Sequence, residues 1–288
     1  MSGWHIGIIG GSGLYDVAGI EDGQWVEVDS PWGEPSDAIF TGRLGHVRVS
    51  FLPRHGRGHR ISPSELNARA NIDCLKRLGV TDVLSVSSVG GLQEERAPGT
   101  FTIVDQFIDR TKGRPSSFFG TGMVAHVSMA DPVCPRLSAL AGDAAESAGA
   151  TVHRGGTCLV MEGPQFSTRA ESQLYRSWGC HVIGMTAMPE AKLAREAELP
   201  FAMVAMVTDY DCWREEEAAV DVAQVIAQLS SNAEKARAMV LTLLRALPDE
   251  RGASPIDTCL DTALITAPQM RDPELLARLD AVAGRVLG

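Results

Sequence analysis

The chain has 288 residues, of which 44% are hydrophobic and 22% charged, and a formal net charge of −10. That length suffices for one large α/β domain, or two small ones, around a sizeable core. The negative balance argues against nucleic acid or an anionic membrane as partner. No apolar stretch approaches membrane-spanning length, and the N-terminal "MSGWHIGIIGG" lacks a charged leader region. The six scattered cysteines (Cys74, Cys134, Cys158, Cys180, Cys212, Cys259) contain no CxxC pair. They read as buried free thiols of a cytoplasmic protein, not as a disulfide frame or a zinc site.

Taken in order, "HIGIIG" is a short buried strand that ends in "GGSG", and "VRVSFLP" (47–53) is a second strand. In "ISPSELNARANIDCLKRLG", Ser62 is the expected helix cap, Pro63 the first-turn residue, Glu65 the capping-box partner and Gly79 the stop. "DVLSVSSVGG" (82–91) is a buried strand, and "TFTIVDQFID" (100–109) follows a Pro-Gly turn. A helix over 135–148, the strand "TCLVMEG" (157–163) and a helix opened by a Thr168–Glu171 capping box come next. "HVIGM", "PEAKLAREAE" and "PFAMVAMVTDY" read as a β-α-β unit. A long amphipathic helix covers roughly 218–246, and "PELLARLDAVAGRVL" reads as a final helix in a less regular tail, 249–288. Alternating elements with near-continuous apolar strands predict a single α/β domain over 1–288, with a mixed, mainly parallel central β-sheet flanked by helices and 249–288 as an extension. Ligands of such sheets collect at the carboxyl ends of the strands.

Polar residues gather at those strand ends. "GGSG" (10–13) offers backbone N–H groups and the Ser12 hydroxyl to an anion, or is simply a tight turn; no lysine follows to make a Walker loop. "PRHGRGHR" (53–60) packs three arginines and two histidines into eight residues of an acidic chain. Arg54 and His55 suit an oxyanion there, although a solvated basic loop has the same composition. His55 and His59 stand four apart, but the intervening glycines spoil a helical metal pair. Ser87 and Ser88, Glu162, Ser167 and Thr186 occupy further strand ends, each also readable as a cap or loop residue. In "TDYDCW", residues i and i+2 of a strand face one way, so Asp209 and Asp211 can present an acid and an acceptor to a polar heterocycle edge. Semi-burial beside a second carboxylate raises the pKa of such an acid. Asp211 could instead cap a following helix.

"GIIGGSGLYD", "PRHGRGHRISPSELNARANI", "GTFTIVDQFIDRT", "MEGPQFSTRAES" and "GMTAMPEAKLAREAELPFAMVAMVTDYDCW" together resemble the 5′-methylthioadenosine phosphorylases of the trimeric purine nucleoside phosphorylase family, over roughly residues 5–246. The resemblance implies a nucleoside phosphorylase-like fold. It implies cleavage of an N-glycosidic bond by inorganic phosphate as co-substrate, with no cofactor and no metal. Ser12, Arg54, His55, Ser87, Ser88 and Thr186 would hold phosphate, and Met185 would hold ribose. Asp209 (as acid) and Asp211 would meet the purine, with Phe166 and Ser167 nearby. Val222, Val225 and Ile226 would line the apolar 5′ pocket, and His126 would reach in from a neighbouring subunit of a homotrimer. Ser12 and Ser87 stand where relatives often carry Thr, and Ser88 where Ala is common. The same pattern admits a broader 6-aminopurine enzyme that also takes 5′-deoxyadenosine. A 6-oxopurine phosphorylase generally carries Asn at the purine-facing position. A dinucleotide oxidoreductase is disfavoured by Asp16, which stands where the last glycine of GxGxxG would be. A non-catalytic nucleoside-binding protein would need no phosphate pocket.

Overall fold

In β11 (Phe201–Asp209) every residue but the last is buried, and odd and even positions enter different cores. Phe201, Met203, Ala205 and Val207 pack on one face of the sheet; Ala202, Val204 and Met206 pack on the other. A strand covered on both faces reads as a continuous apolar run because its side chains alternate between two layers. The computed structural model describes residues 3–11, 14, 18–214 and 222–287, the side chains of 222–227 excepted.

The strands are β1 (His5–Gly10), β2 (Glu21–Val26), β3 (Ile39–Leu44), β4 (Val47–Pro53), β5 (Asp82–Gly91), β6 (Thr100–Val104), β7 (Gln106–Arg110), β8 (Thr151–Arg154), β9 (Thr157–Met161), β10 (Val182–Gly184) and β11. The helices are α1 (Ala68–Arg77), α2 (Pro135–Ser147), α3 (Arg169–Ser177), α4 (Ala187–Glu196), α5 (Val222–Ala246), α6 (Pro273–Arg278) and α7 (Asp280–Leu287). One mixed sheet runs β2-β3-β4-β1-β5-β10-β9-β7, and β11 joins β5 to β6, which also pairs with β8. β4, β1, β5 and β11 are mutually parallel, so their carboxyl ends, Gly10, Pro53, Ser87–Gly91 and Asp209, come to one side. α1, α4 and α7 cover one face, and α2 and α5 the other.

Several expectations are corrected. Ser62 starts only a 3-10 turn over Pro63–Glu65; the cap of α1 is Asn67, whose side chain accepts from Ala70 N. Pro63 opens that turn, and the chain is extended again at Leu66 before α1 begins. "TFTIVDQFID" is two strands, not one. The β-α-β unit is not a parallel pair, because β10 runs antiparallel to Gly90–Gly91 at the end of β5 while β11 runs parallel to β5. The final helix divides into α6 and α7. Two of the six free thiols, Cys212 and Cys259, are only half-buried.

The tail is stitched into the body. Fully buried Asp82, at the start of β5, receives Arg136 and Arg251, and Arg251 also pairs with Asp257. Arg285 of α7 reaches buried Glu198, and Val282 and Ala283 enter the core beside α1. Residues 122–126 pair with 263–272: His126 N donates to Ala263 O, Ile265 N to Val124 O, and Asp272 N to Gly122 O. Among the described residues no helix is long and apolar enough to cross a membrane.

Candidate active site

The carboxyl ends of β1, β4, β5 and β11 open into a cavity of about 490 Å³. Gly11, Arg54, His55, His59, Ser87 and Thr186 line one part of it. Val89, Gly90, Met161, Phe166, Asp209 and Asp211 line another, with Ser88 and Met185 also on its wall. β5 reaches this position only because it ends in glycines. A Cβ on Gly91 would lie 2.3 Å from the Arg96 carbonyl oxygen, and one on Gly90 would lie 3.1 Å from Asp209 Oδ1.

Arg54 is carried on the end of β4, where its own N–H donates to Gly10 O. Its guanidinium is 2% exposed and is largely spent within the protein. Nε donates to Glu190 Oε1 (2.6 Å), Nη2 to Glu190 Oε2 (3.1 Å) and Ser85 Oγ (2.7 Å), and Nη1 to Val86 O (3.0 Å). His55 is fixed through Nδ1 to Ile61 O at 2.9 Å and stacks on His59, with ring centroids 4.3 Å apart. Stacking, rather than two nitrogens converging on one point, is what becomes of the pair considered for metal. Burial, aided by the Arg54 charge, lowers the pKa of His55 to about 4, so its ring is uncharged at neutral pH. The Ser87 and Thr186 hydroxyls lie 3.5 Å apart, Ser87 within β5 and Thr186 at the residue before α4, where its side chain makes no capping hydrogen bond. The backbone leaves the helical region at Met188 (φ −112°, ψ 129°), two residues after Thr186.

The aspartates are not two alternate positions of one strand. A register shift falls between Val207 and Asp209, β11 ends at Asp209, and Asp211 follows in the left-handed region (φ +54°). Asp209 Oδ1 accepts from Asp211 N (2.8 Å) and Oδ2 from the Thr208 hydroxyl (2.7 Å). The turn, not the pleat, brings both carboxyl groups to the cavity. Burial, and next the charge of Asp209, raise the pKa of Asp211 against the nearby Ser172 hydroxyl, which lowers it; that hydroxyl stays beyond normal hydrogen-bond geometry, so Asp211 Oδ2 is buried with no hydrogen bond among the described residues.

Of the remaining expected residues, Phe166 is 53% exposed at the rim. Ser167 stands behind the wall with its hydroxyl on the Met161 sulfur. His126 is exposed on the loop before α2 and does not line the cavity of its own chain. Ser12 and the side chains of Val222, Val225 and Ile226 lie outside the described residues. Sequence reasoning missed Glu190, Met161 and Arg114, and weighed His59 only as a metal ligand. Arg114 donates to the carbonyls of Glu162, Met185 and Met188, and so clamps the chain around Met185 and Thr186. An arginine in an otherwise plain loop, or a glutamate in an amphipathic helix, gives no local signal of this.

Residues 5–245 match the family described as the phosphorylase superfamily. The chain belongs to that superfamily. Among curated members of it, the S-methyl-5'-thioadenosine phosphorylase of Cereibacter sphaeroides is 63% identical over 98% of both chains. Among solved structures, a methylthioadenosine phosphorylase from an antarctic soil metagenomic library superposes with a TM-score of 0.92 at 46% identity, covering 98% of this chain and 99% of that one. The methylthioadenosine phosphorylase of Schistosoma mansoni in complex with adenine gives 0.79 at 38% identity, over 84% and 91%. Phosphorylase-superfamily membership spans every strand and the cavity; the tail beyond residue 245 lies outside the matched segment.

Proposed function

We propose that the protein cleaves 5′-methylthioadenosine with inorganic phosphate, yielding adenine and 5-methylthioribose 1-phosphate. The observation that carries this reading is a single cavity that joins an oxyanion end to a half-buried carboxyl pair. At the first end, Ser87, Ser88, Thr186, Arg54, His55 and the backbone near Gly11 take phosphate, together with Ser12. Met185 supports the ribose between the two ends. At the second, Asp209 and Asp211 meet N7 and the exocyclic amino group of the purine, with Phe166 over the rim. Cleavage makes the sugar cation-like and the base anion-like. The bound phosphate stabilises the first charge and then attacks C1′, and a proton delivered to N7 relieves the second. The proton comes from the aspartate pair, which titrates as a unit. Burial biases the pair's shared proton towards Asp211. A 6-oxopurine would set an acceptor against the ionised member, so 6-amino substrates are preferred.

The reaction needs neither metal nor redox cofactor. We further propose a cytoplasmic homotrimer in which the exposed His126 loop completes a neighbour's cavity, and in which Val222, Val225 and Ile226 face the 5′ group. Incubation with methylthioadenosine, with and without phosphate, should release adenine only when phosphate is present, and methylthioinosine should be turned over far more slowly. Equal rates for the two nucleosides would overturn the reading of the aspartate pair. Sedimentation should give three chains, and an active monomer would remove the role of His126.

A further inference from the structure

At the oxyanion end of the cavity, charge and protons are already committed to the protein. The Arg54 guanidinium faces the Glu190 carboxylate through two nitrogens, and both side chains are about 2% exposed. Its Nη2 also reaches Ser85 Oγ and Ile9 O, and Nη1 uses one hydrogen on Val86 O. One Nη1 hydrogen is left for a ligand. The Ile61 carbonyl can only accept, so His55 Nδ1 must carry the ring hydrogen at the 2.9 Å contact. In an uncharged imidazole the other nitrogen is then a bare acceptor. His55 lines the cavity, and its Nε2 has no hydrogen bond among the described residues. A second proton on the ring is opposed by burial and by the neighbouring Arg54 and His59.

We propose that His55 makes this pocket selective for a tetrahedral anion that carries its own proton, hydrogen phosphate or arsenate, over sulfate. The inference rests on the reading that this end of the cavity takes phosphate. At neutral pH phosphate and arsenate both keep at least one O–H, which can donate to Nε2. Sulfate offers only acceptors, so one of its oxygens would face the imidazole lone pair without a hydrogen. A polar site rejects the analogue that leaves its buried group unpaired. The Ser87 and Thr186 hydroxyls rotate to donate or accept, so they do not discriminate between these anions. Arg54 does not favour the bare dianion through net charge, because Glu190 cancels it.

The test is competition in the intact enzyme, with methylthioadenosine as nucleoside. Arsenate should replace phosphate in releasing adenine, and sulfate should compete with phosphate at least roughly tenfold more weakly than phosphate itself binds. His55→Gln places an amide that can donate at the same position. It should weaken phosphate, strengthen sulfate and so narrow the gap, whereas His55→Ala should weaken phosphate without helping sulfate. In the unaltered protein the gap should persist from about pH 8 to about pH 5, because His55 stays uncharged over that range. Sulfate competing as strongly as phosphate, or a gap that closes between about pH 7.5 and 5.5, would overturn the proposal while leaving phosphate-dependent cleavage intact. Release of adenine without phosphate would instead remove the reading beneath it, and the proposal with it.

Discussion

At one end of the cavity Arg54 and Glu190 satisfy each other in a fully buried pair, whereas at the other end Asp211 keeps a buried oxygen with no hydrogen bond among the described residues. The first end is finished before any ligand arrives. The second stores an unmet demand, which burial expresses as a raised carboxyl pKa. Rigid positioning suits an anion that must be held in line, and an unmet carboxyl suits a group that must part with a proton. Removing one member of the finished pair should therefore damage the fold, while removing the unmet group should damage only the chemistry.

The largest effect is expected for Arg54→Ala. It strands the Glu190 carboxylate in the core, and breaking a buried pair costs about 3–5 kcal/mol. Urea unfolding should show this loss, and pairing the change with Glu190→Gln should recover part of it. A fully stable single variant would mean that the pair does not frame the site. Next comes Asp211→Asn, which should lower turnover by about 10²-fold or more, equivalent to about 2.7 kcal/mol. The same change should leave the melting temperature unchanged or raise it. A carboxyl whose folded pKa is raised contributes its stability at low pH and loses it as pH rises through that value, and Asn has nothing to lose. For the same reason, turnover by the unaltered enzyme should decline on the alkaline side as Asp211 ionises. A variant that is both inactive and unfolded would erase the contrast between the two ends.

Glu196 sharpens the comparison as a buried carboxyl away from the cavity. Both its oxygens are bonded, to Ser117 Oγ and Phe118 N at 2.7 Å each, yet burial raises its pKa to about 7. Its stabilising contribution should be complete below about pH 4.5 and lost as pH rises through about 7. Glu196→Gln should flatten the melting temperature across that window, on the order of 1–3 kcal/mol, and spare turnover. An unchanged pH profile would argue that its bonds outweigh burial. The smallest effect is expected for Ser88→Ala. It removes one exposed hydroxyl from the cavity wall and should raise the phosphate requirement by about two- to tenfold.

Elements legible in the sequence were those whose burial is uniform or whose caps are local. β4, β5 and α2 lie at or within a residue of their expected limits, and the Thr168–Glu171 capping box is present. β2, "EDGQWV", was missed because it is an exposed edge strand with no apolar alternation. The four-residue β8 carries too short a pattern to register. In the cavity, the residues at strand ends were legible because topology delivers them there: Arg54, His55, Ser87, Ser88, Thr186 and the aspartates all line it. What supports them was not. Glu190 meets Arg54 across 136 positions, and Arg114 meets Met185 across 71, separations that no local pattern encodes. Asp209 and Asp211 do line the cavity, but a left-handed turn rather than strand alternation brings them there.

The pairing of residues 122–126 with 263–272 sets a clock on biosynthesis. Val124 waits for Thr266, 142 positions later. At about 5–20 residues per second, roughly 7–28 s separate the two on the ribosome. By Asp209, well before Thr266, all the sheet strands through β11 have been made, yet the His126 loop still lacks its backbone partners in 263–272. The nascent chain therefore holds nearly all of the cavity wall before it holds the completed loop proposed to serve a neighbour. In the proposed trimer, assembly between chains would thereby follow completion of each one.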